Sequence, residues 1–247
     1  MIEEIKKIKE KREKEEKRGE ENFGINAEEM ARAGLNFGHR ASNIHPKMKP
    51  YIVGIKNTVN IIDLEKTAEG LKQALRFIQK IIFEKKVLLL VGTKIQIKDL
   101  VKNIADDCGL PYVNERWLGG TITNFGTIKK RIDYFKDLEV KKEKGELEKY
   151  TKKERAGIDK ELRDLGVKFG GIRNLEKIPE AIFVLDIKKD DLAIREAKRK
   201  GIVVIAIADT NVDPTLADFP IPANDDAISS VKYILDKVAE AVKKVKK

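Results

Sequence analysis

The chain has 247 residues, with 51 Lys and Arg against 41 Asp and Glu, a formal net charge of +10, two histidines and one cysteine. That length suits one large α/β domain, or one domain plus an insertion, and it buries enough surface to fold without a disulfide or a metal. The single Cys108 excludes an intramolecular disulfide and argues against a cysteine-based zinc site, no long apolar run offers a membrane span, and the composition reads as a soluble cytosolic chain.

Residues 1–22 are almost all Lys, Arg and Glu with balanced signs. Ile2, Ile5 and Ile8 supply only a thin apolar stripe, so this stretch is expected to be a frayed solvated helix or a disordered arm. At Asn26 a short helix is signalled, with Asn26 as cap and Glu28 and Glu29 in the first turn. From Met30 to Ile62 there is no Asp or Glu, yet the window carries Arg32, Arg40, Lys47, Lys49 and Lys56. In so charged a protein, such a window suggests a surface that faces a polyanion. Within it Phe37, His39, Arg40, His45, Lys47, Lys49 and Tyr51 interleave rings with cations, a pattern suited to phosphates and unpaired bases. Pro46, Pro50, Gly38 and Gly54 predict structured loop here. His39 and His45 have no carboxylate nearby in sequence, so no metal site is expected.

An α/β alternation then begins. Val59–Asp63 is predicted as a strand, Leu64–Phe83 as a helix, Val87–Gly92 as a central parallel strand, Lys98–Cys108 as a helix stopped by Gly109, and Pro111–Asn114 as a strand. The stretch VNERWLGGTITNFGT, residues 113–127, holds the only tryptophan. Arg116 and Trp117 beside Gly119-Gly120 suit close approach to a partner; equally, Trp117 can plug the end of the sheet while the glycines turn the chain. Residues 127–168 change character. Ile128, Ile132, Phe135 and Leu138, then Ile158, Leu162 and Leu165, recur at helical spacing around a polar turn at Lys144-Gly145, predicting an inserted helical hairpin. Ala181–Asp186 and Ile202–Ala208 are apolar strands flanking a helix over Asp190–Arg199. Phe219–Ala223 reads as an edge strand, and Asn224 or Asp225 caps a last helix. The expected organisation is an arm over 1–22, an α/β domain in two parts over 23–126 and 169–247, and the hairpin between them.

A parallel sheet is the usual frame of nucleotide enzymes, but their fingerprints are missing. The turn after Val87–Val91 reads GTKIQIK, with neither GxGxxG nor GxxxxGK[ST]. No GxSxG elbow occurs, and Cys108 has no histidine close in sequence. Asp209-x-Asn211-x-Asp213 begins like a calcium loop, but Pro214 stands where a glycine is required. The doublet Asp225-Asp226 reads as helix capping. The residues thus favour a non-enzymatic nucleic-acid-binding scaffold, with a degenerate nucleotide- or sugar-phosphate-binding enzyme as the alternative and no cofactor.

Taken in order, AGLNFGH (33–39), HPKMKPYI (45–52), NIIDLEKT (60–67), LLLVGTK (88–94), VNERWLGGTITN (113–124), IPEAIFVLD (178–186), AIADTNVDP (206–214) and IPANDDAI (221–228) resemble the ribosomal protein S2 family. The resemblance implies a flavodoxin-like three-layer parallel sheet with an inserted α-helical coiled-coil hairpin. It implies no catalysis. It also implies a structural part in the small ribosomal subunit during translation, in the cytoplasmic ribosome, with small-subunit ribosomal RNA and other small-subunit ribosomal proteins as partners. Protein S1, the large mRNA-binding protein, is a further implied partner where it exists; no membrane is involved. The RNA-binding residues are expected to be Arg32, Phe37, His39, Arg40, Lys47, Lys49, Lys56, Arg116 and Trp117. Two departures stand out: Ser42, Asn43 and Ile44 replace a common Arg-aromatic-Trp run, and Val203 replaces a common proline.

Overall fold

The computed structural model describes residues 23–246, so the expected arm at 1–22 lies outside the described residues. The elements in chain order are α1 (Ala27–Ala33), β1 (Phe37–Arg40), β2 (Ile52–Lys56), β3 (Val59–Ile62), α2 (Leu64–Phe83), β4 (Leu88–Val91) and α3 (Lys98–Cys108). There follow β5 (Tyr112–Val113), α4 (Phe125–Glu143), α5 (Lys152–Phe169), β6 (Ala181–Val184), α6 (Asp191–Arg199), β7 (Val203–Ala208), β8 (Phe219–Pro222) and α7 (Ile228–Lys246).

Strands β4 to β8 form a parallel sheet in the order β5-β4-β6-β7-β8. Its central strands are buried on both faces, which is why they read as unbroken apolar runs. Successive side chains point to opposite faces. Leu88, Leu90, Phe183, Ile205 and Ile207 therefore meet α2, α3 and α7 on one side. Leu89, Val91, Ile182, Val184 and Ala206 meet α6 and the roots of α4 and α5 on the other. The architecture is three layers with the flavodoxin-like strand order. β8 is the edge strand its prolines required.

Helix ends follow local chemistry. The Asn26 side chain accepts from the Glu28 amide, and Gly34 ends α1 at φ +81°. The Asp63 carboxylate caps α2. The far end of α2 is unusual: Lys85 sits at φ +55°, where glycine is the favoured residue. Its amide donates to the Ile82 carbonyl and that of Lys86 to Ile81, closing the helix. A lysine in that conformation costs roughly 1 kcal/mol against glycine. Asn224, not Asp225, organises the turn that leads into α7, its side chain accepting from the Asp226 and Ala227 amides.

Helices α4 and α5 run antiparallel, since Lys142 pairs with Asp159 at 2.7 Å while the Phe135 ring lies against Gly166 nearer the sheet. Ile128, Ile132, Phe135 and Leu138 face Leu162, Leu165 and Phe169, and this seam merges with the core on that face of the sheet. Thr151 and Glu154 start α5 with a reciprocal capping box. Behind α5 the chain passes so close to β5 that a Cβ at Gly171 would overlap the Tyr112 carbonyl.

The main departure from expectation lies at the amino end. Val59–Ile62 does not join the parallel sheet. It is the centre of a separate antiparallel sheet, β1-β3-β2, built from the window predicted as loop. Each strand has four or five residues, glycines interrupt the apolar alternation, and β1 and β3 pair across about twenty residues. A hairpin turn with left-handed Asn57 and Thr58 joins β2 to β3.

Candidate nucleic-acid interface

In the small sheet, Arg40 and Lys56 both pair with Val59, so they flank it in one cross-strand row. Arg32, Phe37, Arg40, Lys49 and Lys56 are exposed, and among the described residues these four cations have no carboxylate partner. Lys47 is different: its ammonium lies 2.7 Å from Asp213 and also donates to the Thr215 hydroxyl. That ion pair, with the hydrogen bonds from Thr215, holds the Asp213 carboxyl well below the usual carboxylate range. The window is therefore acid-free in sequence but not wholly in space.

The same correction applies to His39. Its Nδ1 lies 3.1 Å from Asp209 and its Nε2 3.5 Å from Asp226. The hydrogen bond to Asp209 raises its pKa above the ordinary value against the opposing effect of burial, and the Asp209, Asp226 and Asp225 charges add to it. Close docking makes this possible. The His39 amide donates to the Thr210 hydroxyl, and a Cβ at Gly38 would overlap the Thr210 side chain. Donor atoms of His39, Asp209 and Asp226 lie within 4.8 Å of one another, a spacing compatible with a divalent cation. The sequence argument against a metal, that no carboxylate lay nearby, fails because β1 is folded onto the end of β7.

Beside this trio Lys94, in the turn after β4, reaches Asp186, Asp225 and Asp226, each at 2.8 Å. Burial alone would lower the Lys94 pKa, but the Asp225 charge and the hydrogen bonds to all three carboxylates hold it well above the ordinary value. Burial, with the Asp186 and Asp209 charges, pushes Asp225 up to about 7 despite Lys94. Asp225-Asp226 thus serves this junction, not the helix cap assigned to it from sequence.

The loop between β5 and α4 divides the two residues expected to act together. Arg116 is exposed, whereas Trp117 is 6% exposed and packs with Val113, Ile122 and Ile128. Its indole N–H donates to Glu196 on α6. The same carboxylate accepts from the Gly120, Ile122 and Thr123 amides and from the Thr123 hydroxyl. Burial pushes the Glu196 pKa up, but these donors outweigh it and leave the carboxyl below its ordinary value. Of the two readings open for Trp117, contact with RNA or a plug at the sheet end, this packing favours the second: the ring belongs to the core.

At the switch point between β4 and β6, where doubly wound sheets hold ligands, the Thr93 amide and hydroxyl both donate to buried Asp190. A buried carboxylate thus lies against the turn after β4, and Asp186 beside it is held by Lys94. The sequence profile of the family described as Ribosomal protein S2 matches residues 30–245. The chain belongs to that family. It is 43% identical to the small ribosomal subunit protein uS2 of Coprothermobacter proteolyticus over 218 residues, covering 88% of this chain and 81% of that one. It is 45% identical to the uS2 of Dictyoglomus thermophilum over 215 residues, 87% of each chain. It is 44% identical to that of Geotalea uraniireducens over 218 residues, covering 88% and 85%. The family is one of ribosomal proteins rather than enzymes.

Five residues were missed from sequence: Lys94, Asp186, Asp190, Asp209 and Glu196. All but Glu196 stand at or just beyond the carboxyl ends of parallel strands, where a ligand crevice is expected in this fold class. Glu196 carried no such signal. It is an acidic residue on the buried face of an otherwise charged helix.

Proposed function

We propose that this chain is a structural constituent of the small ribosomal subunit in the cytoplasmic ribosome, and that it binds ribosomal RNA through the small amino-terminal sheet and Arg116. The observation that carries the reading is the set of exposed cations Arg40, Lys49 and Lys56, with Arg32 on α1, none paired with a carboxylate among the described residues, in a window without acidic residues. Cations without an internal ion pair break none when they bind phosphate, and they release counterions from the RNA. Phe37, 47% exposed at the edge of the sheet, supplies a ring for an unpaired base. His39 and Lys47 contribute less, because Asp209, Asp226 and Asp213 already neutralise them. Trp117 acts indirectly, by setting the loop that presents Arg116.

Neighbouring small-subunit proteins, protein S1 included where it exists, are the other partners in this reading. The edge strand β2, with Val53 72% and Ile55 64% exposed, suits a protein surface better than RNA. The test is binding of the purified chain to small-subunit ribosomal RNA over a range of salt. Arg40→Ala with Lys49→Ala and Lys56→Ala is expected to weaken binding and flatten its salt dependence without lowering the melting temperature. Wild-type affinity and salt slope in that triple variant would sink the assignment.

A further inference from the structure

We propose that a groove at the opposite, amino-terminal end of the parallel sheet is a second RNA contact, which takes an unpaired nucleotide against Phe83. The groove lies between the end of α2, the α3–β5 turn and the end of α7, and its volume is about 550 Å³. That is large enough for a ligand of nucleotide size. Val87, Leu110, Pro111 and Val245 form its apolar floor. Phe83 lies on its rim and is 77% exposed, a large ring with no packing role in the described structure.

The cations around that ring carry the argument. Lys85, Lys86 and Lys246 line the groove, and among the described residues no carboxylate does. Lys86 is paired with Glu84 at 2.5 Å on the outer side, and the Lys246 ammonium donates to the Cys108 carbonyl. Lys85 has no partner among the described residues. It also occupies the left-handed position that ends α2, where glycine would be better for the fold. A cation held against local conformational preference, unpaired and next to an exposed ring, matches the needs of a phosphate and its base. An acidic peptide would use the charge but not the exposed ring, and an apolar peptide the ring but not the charge. The RNA identity of the occupant rests on the function proposed above; the site itself rests on Phe83 and Lys85.

The test uses the full chain and a fluorescein-labelled oligouridylate of about ten nucleotides, titrated at several salt concentrations and crosslinked by ultraviolet light. Crosslinks are expected at Phe83, and Phe83→Ser is expected to weaken binding about tenfold, in line with the loss of one stacked base. Lys85→Gly is the sharper variant. It is expected to weaken binding, to reduce the salt slope by about 0.7, and to leave the melting temperature unchanged or raised. A residue that served only the fold would not give lower affinity together with equal or higher stability. Wild-type binding by Lys85→Gly, or crosslinks confined to residues 30–62 and 113–127, overturns the proposal. So does Phe83→benzoylphenylalanine crosslinking to protein in place of RNA within assembled small subunits. The variant Lys49→Ala with Lys56→Ala keeps the two assignments apart. If it binds ribosomal RNA normally while Phe83 still crosslinks, the window assignment fails and this groove stands.

Discussion

The amino-terminal window and the carboxyl end of the parallel sheet are both rich in polar chemistry, but they handle charge in opposite ways. In the window, Arg32, Arg40, Lys49 and Lys56 are exposed and have no carboxylate partner among the described residues. At the sheet end, Lys94 is engaged by three carboxylates, Asp190 by Thr93, and Glu196 by five donors. A charge fully satisfied inside the chain holds loops in place and offers an outside partner little. A charge left unsatisfied adds nothing to folding and is available for binding. The two residues adjacent in sequence at 116 and 117 fall on either side of that divide.

The largest effects should come from breaking the satisfied side. Trp117→Ala removes a buried indole and is expected to destabilise the fold by about 3–5 kcal/mol in urea denaturation. Glu196→Ala orphans several buried N–H groups and should cost about 3 kcal/mol or more. The two residues touch, so the double variant should lose less than the sum. An unchanged denaturation midpoint for Trp117→Ala, with RNA affinity lost, would place the ring on the RNA instead.

Next comes a pH effect on the same side. Burial lifts Asp190 to about 6, against the hydrogen bonds from Thr93, and the Asp186 charge adds to the rise. The folded chain therefore holds this proton more tightly than the unfolded chain does. The associated stabilisation is complete below about pH 4 and is lost as pH rises through about 6. Asp190→Asn, neutral throughout, should match the wild type at about pH 4 and exceed it by about 1–3 kcal/mol at about pH 8. Equal stability curves for the two proteins would show that Asp190 is ionised at no cost.

On the unsatisfied side the readout moves from stability to binding. Arg116→Ala should weaken RNA binding by roughly 1–3 kcal/mol while stability stays within about 0.5 kcal/mol. Lys49→Ala with Lys56→Ala should reduce the salt slope by about 0.7 to 0.9 for each phosphate that is no longer neutralised. The smallest effect is expected for Lys47→Ala, whose exposed ion pair with Asp213 contributes about 0–1 kcal/mol to stability and already screens its charge. A Lys47 effect on RNA binding as large as that of Lys49 would show that Asp213 lets go of it on the RNA.

Local pattern alone was enough for the strands of the parallel sheet and the helices that cover it, but not for β1 and β2. The apolar runs at 88–91, 181–184 and 203–208 can only be strands buried on both faces, because nothing polar alternates with them. The helix over Leu64–Phe83 followed from one apolar stripe, and Asn26 and Gly109 marked their helix ends by side-chain chemistry and left-handed backbone. Tertiary structure decided what contacts between distant residues create. β1 finds β3 across the intervening loop, and Gly38 lets His39 reach Asp209 and Asp226 from the other end of the chain. Lys47 meets Asp213 across a similar distance, so a stretch without acidic residues in sequence acquires them in space. Trp117 was ambiguous until Glu196, on the next layer, supplied the acceptor for its N–H. An indole beside an arginine can be buried or displayed. The choice depends on whether a distant side chain completes its hydrogen bond, and sequence spacing carries no information about that.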